Sequence, residues 1–129
     1  MIRLKHILQE IISQAELDSI ESYLDDLFAA VGIDIEFTRH FLDRVNDARN
    51  RKQIEPHEIE DLFAKTYEDY GDEISDLGRN AQAVITDMAS NINVPFVLKY
   101  DPYTKKLQLV SKTVMRKSNF KTSNKKLTV

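Results

Sequence analysis

Two groups of residues in this chain of 129 have the types and spacing to handle a phosphate. The first is His40, Arg44, Asp47 and Arg51, which recur at helical spacing and would stack along one face of a helix. His40 is the candidate general acid or base of this group. Arg44, one turn on, can address the same phosphate. The second group lies in Leu107–Thr122. In an extended chain alternate side chains share a face. Gln108, Val110, Lys112, Val114 and Arg116 then stand on one side, with Leu107, Leu109, Ser111, Thr113 and Met115 on the other. Lys112 and Arg116, two pleats apart, would clasp one anion between them, and Lys117 and Lys121 follow at once. Two arrangements need no ligand at all. One is a half-buried strand with a solvated basic rim, and the other is an exposed helix face on which Arg44 pairs with Asp43 or Asp47.

The charge distribution points the same way. The formal net charge of -3 conceals a split between an acidic front and a basic C-terminal quarter. Beyond residue 98, Asp101 is the only acid among nine lysines and arginines. Such a quarter suits a polyanion, which the acidic remainder would repel, so contact would be local. The absence of cysteine removes disulfides and thiolate metal sites. Three scattered histidines do not suit a zinc site. There is no Gly-rich phosphate loop, serine nucleophile elbow or His-Glu-x-x-His motif. No cofactor and no metal are expected. The longest apolar run is far short of a membrane span, so no membrane partner is expected either.

The elements that must position these residues follow from periodicity. Leu4, Ile7, Leu8, Ile11 and Ile12 predict a first amphipathic helix over 2–12. A second helix runs from Leu17 to Val31, stopped by Gly32, with an acidic outer face over Glu16–Asp26. Ile33–Phe37 alternates as a short strand. Thr38 then caps a helix over Arg39–Arg49, with Phe37, Phe41, Val45 and Ala48 as its apolar stripe. Asn50–Gln53 reads as a polar turn, and Pro56 opens another helix carrying Ile59, Leu62, Phe63 and Thr66 inward. Gly71–Asn80 reads as a loop. Ala81–Met88 fits a helix or a strand equally well. Pro95 starts a strand over Phe96–Tyr100, and Asp101–Lys106 turns it back into Leu107–Met115. Leu127–Val129 adds a last short strand. Helices followed by a strand meander predict an α+β fold, with N-terminal helices on one face of a small C-terminal antiparallel sheet of three to four strands. Residues 13–129 form the domain, and residues 1–12 are either its first helix or a leader.

Two segments resemble a known group. Phe37–Ile54, with His and Arg one turn apart ahead of a second helix, is similar to the opening of small phage and toxin nucleases. Leu107–Phe120 resembles the closing strand of the same group, the barnase–EndoU–colicin–RelE-like nuclease superfamily of metal-independent RNases. The chain as a whole also resembles proteins of large tailed bacteriophages, cyanophages in particular. Leu8-Gln9-Glu10 is similar to the Leu-x-Glu site at which a prohead protease removes a capsid-targeting leader in some of them. That resemblance implies the host cytoplasm as location, with packaging in the virion if the leader is used.

The nuclease resemblance implies an endoribonuclease acting by transphosphorylation. Such a reaction needs a base for the ribose 2′-hydroxyl, an acid for the leaving 5′-oxygen and cations on the phosphorane. His40 would be the acid or base, Arg44, Lys112 and Arg116 would hold the phosphate, and Thr113 or Thr122 would orient it. The competing expectation is a virion or host-interaction protein without catalysis. It would bind nucleic acid, a capsid protein or a host protein through Lys112, Thr113, Arg116, Lys117, Lys121 and Thr122. A third is a nucleic-acid mimic acting through the acidic helix face.

Overall fold

The structure, a computed structural model, describes residues 12–129. Residues 2–11 of the expected first helix, with the Leu8-Gln9-Glu10 leader, lie outside these residues, and Ile12 is buried but not helical. Helix α1 spans Gln14–Phe28 and begins at a capping box, in which Ser13 and Glu16 satisfy each other's backbone N–H groups. A 3-10 turn over Ala29–Val31 ends at Gly32, whose φ of 72° is the left-handed stop expected of glycine there. Strand β1 (Ile33–Phe37), helix α2 (Arg39–Val45) and a 3-10 turn (Ala48–Asn50) follow. The long helix α3 (Pro56–Leu77) leads into β2 (Gln82–Asp87), β3 (Ile92–Asp101), β4 (Lys106–Ser111), β5 (Met115–Arg116) and β6 (Lys125–Thr128).

The architecture is α+β, with helices layered on one face of a mixed, mostly antiparallel sheet. Its order is β1-β4-β3-β2-β6, and β5 pairs with the start of β3. Six strands form the sheet rather than three or four. The edge pairs, β1 with β4 and β2 with β6, are parallel. Leu17, Ile20, Leu24 and Phe28 of α1 and Ile59, Leu62, Phe63 and Ile74 of α3 share one buried core with Ile33, Ile35, Ile85, Val94, Phe96, Leu98 and Leu109. Phe28 meets Phe63 and Tyr67 edge-on, and Phe37 stacks on Phe41 at 4.3 Å.

Three local expectations change. Gly71–Asn80 is largely helical, because Ile74 and Leu77 continue the apolar stripe of α3; burying Ile74 outweighs the cost of about 1 kcal/mol for an interior glycine. Ala81–Met88 resolves as strand β2, buried between β3 and β6. Strand β3 begins before Pro95 rather than after it. The proline is tolerated because the strand beside it is interrupted there, so no ladder bond needs its missing N–H. Ser111 Oγ instead donates to the Pro95 carbonyl at 2.7 Å.

Strand β1 is an edge, and α1 closes it. Asp25 Oδ1 accepts from the Ile35 N–H at 2.6 Å, and Glu21 Oε2 from the Phe37 N–H at 3.0 Å. The acidic helix face therefore has a structural use, shielding an exposed ladder. Burial, with further repulsion from neighbouring carboxylates, raises both pKa values although the backbone bonds oppose it. A carboxyl with a raised folded pKa contributes stability that is present below its unfolded pKa and is lost as pH rises through the folded value. Glu21→Gln keeps an acceptor for Phe37 and removes the charge. Its thermal midpoint should exceed wild type by a few degrees at pH 7, with the gain shrinking towards pH 4. A lower midpoint at pH 7 would show that the negative charge itself is needed.

Candidate anion-binding groove

The site is organised by an interruption in a strand. Val110 pairs with Val97 in β4, whereas Met115 pairs with Asn93 in β5. Four residues (111–114) therefore oppose three of β3 (94–96), a bulge of one extra residue. An extra residue inverts the side-chain alternation. Val114 consequently joins the core alongside Leu109, and Arg116, paired with Ile92, turns to the helix side. Lys112 is left exposed outside the ladder. The expected clasp of one anion between Lys112 and Arg116 on a common face does not form.

Arg116 does something else. Its side chain is only 14% exposed and spans a bidentate pair to Glu58, at 2.8 and 3.1 Å. Its guanidinium also donates to the carbonyls of Ser90 (2.9 Å), Gln53 (3.2 Å) and Lys52 (3.3 Å). All five donors are engaged within the protein. Burial pushes the Glu58 carboxyl up, but the Arg116 fork, the Glu55 N–H and the charges of Arg116 and Lys52 together leave the group below its ordinary pKa. Ser90 is held in turn by Asp87, which pairs with Lys65 at 2.7 Å. Arg116 thus ties α3, the 51–55 loop and the β2–β3 turn together.

Asn50 does the same for the neighbouring loop. Its Nδ2 donates to the carbonyls of Arg44 and Val45 at the end of α2, and its Oδ1 accepts the Arg116 N–H at 3.0 Å. Helix α2 stops at Val45, short of the expected Arg49, so His40 and Arg44 share a helix but Asp47 and Arg51 do not. Asp47 instead caps the 3-10 turn by accepting from the Arg49 N–H, and Arg51 takes a left-handed φ of 65°.

Between this loop and β5 lies an open groove of about 820 Å³. Arg44, Arg49, Arg51, Lys52 and Lys117 line it, with Asp47 as the opposing charge. Asn91, Thr113 and Met115 complete its walls beside the Asn50–Arg116 floor. Asp47 is shared by Arg49 at 2.8 Å and Arg44 at 3.6 Å, and the Arg49 hydrogen bonds hold its carboxyl down at about 2. Arg51, Lys52 and Lys117 are exposed, and none is held in an ion pair among the described residues. His40 is exposed and reaches the groove only through Arg44, whose Nε donates to His40 Nε2 at 3.4 Å.

No protein-family model, curated protein or solved structure matches the chain.

Of the residues singled out by sequence, Arg44, Asp47, Arg51, Thr113, Arg116 and Lys117 thus come together, with His40 at their margin. Lys112, Lys121 and Thr122 do not line the groove. Sequence reasoning passed over Arg49 and Lys52, read as part of a helix and a polar turn. The signal was there in Arg49-Asn-Arg-Lys52, three cations among four residues. Among the described residues no His, Asp and Glu cluster could hold a metal ion, and no helix is long and apolar enough to cross a membrane.

Proposed function

We propose that the protein binds the phosphate backbone of single-stranded RNA in this groove. The observation that carries the proposal is the set of free cations, Arg51, Lys52 and Lys117, gathered on a loop and strand that Arg116 and Asn50 hold in place. A preorganised set of cations lowers the ordering cost of binding. No aromatic side chain lines the groove among the described residues. Contacts there are therefore to phosphates, which position a strand without reading its sequence. The test is a titration of labelled RNA at increasing salt.

Cleavage of the bound strand is a second reading, favoured by the contact between His40 and Arg44 at the groove margin. Metal-independent transphosphorylation would leave 2′,3′-cyclic phosphate ends and would survive EDTA. On that reading His40→Ala should slow cleavage by about 10²–10⁴, the range for loss of a general acid or base. RNA that is bound but left intact by wild-type protein in EDTA leaves binding as the function.

A further inference from the structure

The groove lies where β3 begins, and the opposite end of β3 carries a different feature. Tyr103, at the tip of the β3–β4 turn, is 95% exposed. The turn beneath it is pinned: Tyr103 N–H donates to Asp101 Oδ1 at 2.9 Å, and Lys105 N–H to the Asp101 carbonyl at 2.8 Å. Lys105 adopts a φ of 59°, which closes the turn. A large ring held out into water on a fixed turn contributes nothing to the core. Such a ring is the surface on which a nucleic-acid base stacks. Exposed Lys99 and Lys105 flank it in the chain, and Arg79 covers the neighbouring Tyr100 ring at 4.5 Å.

From Ile92 beside the groove to Asp101 at the base of the turn, β3 is about 30 Å long, at roughly 3.3 Å per strand residue. Exposed Lys112 and Lys99 lie between the two ends, on the β4–β5 break and on β3. Glu36, opposite Val110, is an opposing charge beside that path, whereas Asp34 is engaged by Lys106 at 3.8 Å. We propose that the β3–β4 turn is a second contact for the same RNA strand, with Tyr103 stacking on a base while Lys112 and Lys99 accompany the phosphates between. The inference rests on the groove reading and adds the aromatic contact that the groove lacks. At about 3.4 Å per stacked nucleotide the two contacts are about nine nucleotides apart. A short strand therefore engages one of them and a longer strand engages both.

The experiment compares fluorescence anisotropy titrations of a labelled tetranucleotide and a labelled dodecanucleotide of oligoadenylate against wild type, Tyr103→Ala and Tyr103→Phe. Tyr103 is too exposed for either change to disturb folding. The dodecanucleotide should lose about tenfold in affinity on Tyr103→Ala and almost nothing on Tyr103→Phe, because the ring and not the hydroxyl makes the contact. The tetranucleotide, held by the groove, should be indifferent to both changes. The comparison at fixed length removes the statistical advantage of a longer strand. An unchanged dodecanucleotide affinity in Tyr103→Ala, with the tetranucleotide still bound, overturns the second contact and leaves the groove standing. Failure of both lengths to bind wild type overturns the groove and the second contact together.

Discussion

Replacing Arg116 by alanine should lower the unfolding free energy by about 3–5 kcal/mol, the range for removing one partner of a buried ion pair. Glu58, 14% exposed, would lose its bidentate partner, and the carbonyls of Ser90, Gln53 and Lys52 would lose their donors. The thermal midpoint should fall by about 10 °C or more for a chain of this size. Arg116→Lys should recover little, since an ammonium has neither the planar fork nor five donors. Lys112→Ala, four residues earlier, should stay within about 0.5 kcal/mol of wild type because that side chain is exposed. Thermal unfolding of the three variants checks the ranking. Equal midpoints for Arg116→Ala and Lys112→Ala would mean that the Arg116 network contributes nothing, and the groove would lose its floor.

The same contrast marks what the sequence could convey. Alternation identified Leu107–Met115 as extended, with Lys112 and the cations that follow it as a basic rim. A bulge of one residue leaves no mark on that pattern, yet it decides which side Arg116 faces. Arg116 was therefore legible as a cation but not as a buried one, because its partner Glu58 is 58 residues away. The helices were clearer, since Thr38 and Pro56 announce their starts locally, although the Ser13 cap puts the start of α1 at Gln14 rather than Leu17. Gly71 misled because propensity is local, whereas the burial of Ile74 that overrides it comes from the tertiary fold. Strand β2 was ambiguous because it is buried on both faces, which erases alternation. The clustering of Arg51 and Lys52 with Lys117 required the Asn50 bridge to β5, a contact spanning 66 residues.

Binding of RNA phosphates by the free cations of the groove should show itself first in the salt dependence of affinity. Arg51, Lys52 and Lys117 contribute three charges, and Arg44 and Arg49, offset by Asp47, contribute one more. Four neutralised phosphates on a single strand predict a log–log slope of about -3, at roughly -0.7 each. Affinity should then fall about sixty-fold between 50 and 200 mM monovalent salt. Changing Arg51, Lys52 and Lys117 together to alanine should flatten the slope by about two, because counterion release from three phosphates is lost. These side chains are exposed, so the variant should keep the wild-type thermal midpoint and the loss is attributable to binding. The expected result is a steep wild-type slope that this variant largely abolishes. A wild-type affinity that is insensitive to salt, or a steep slope that survives the triple substitution, would contradict it.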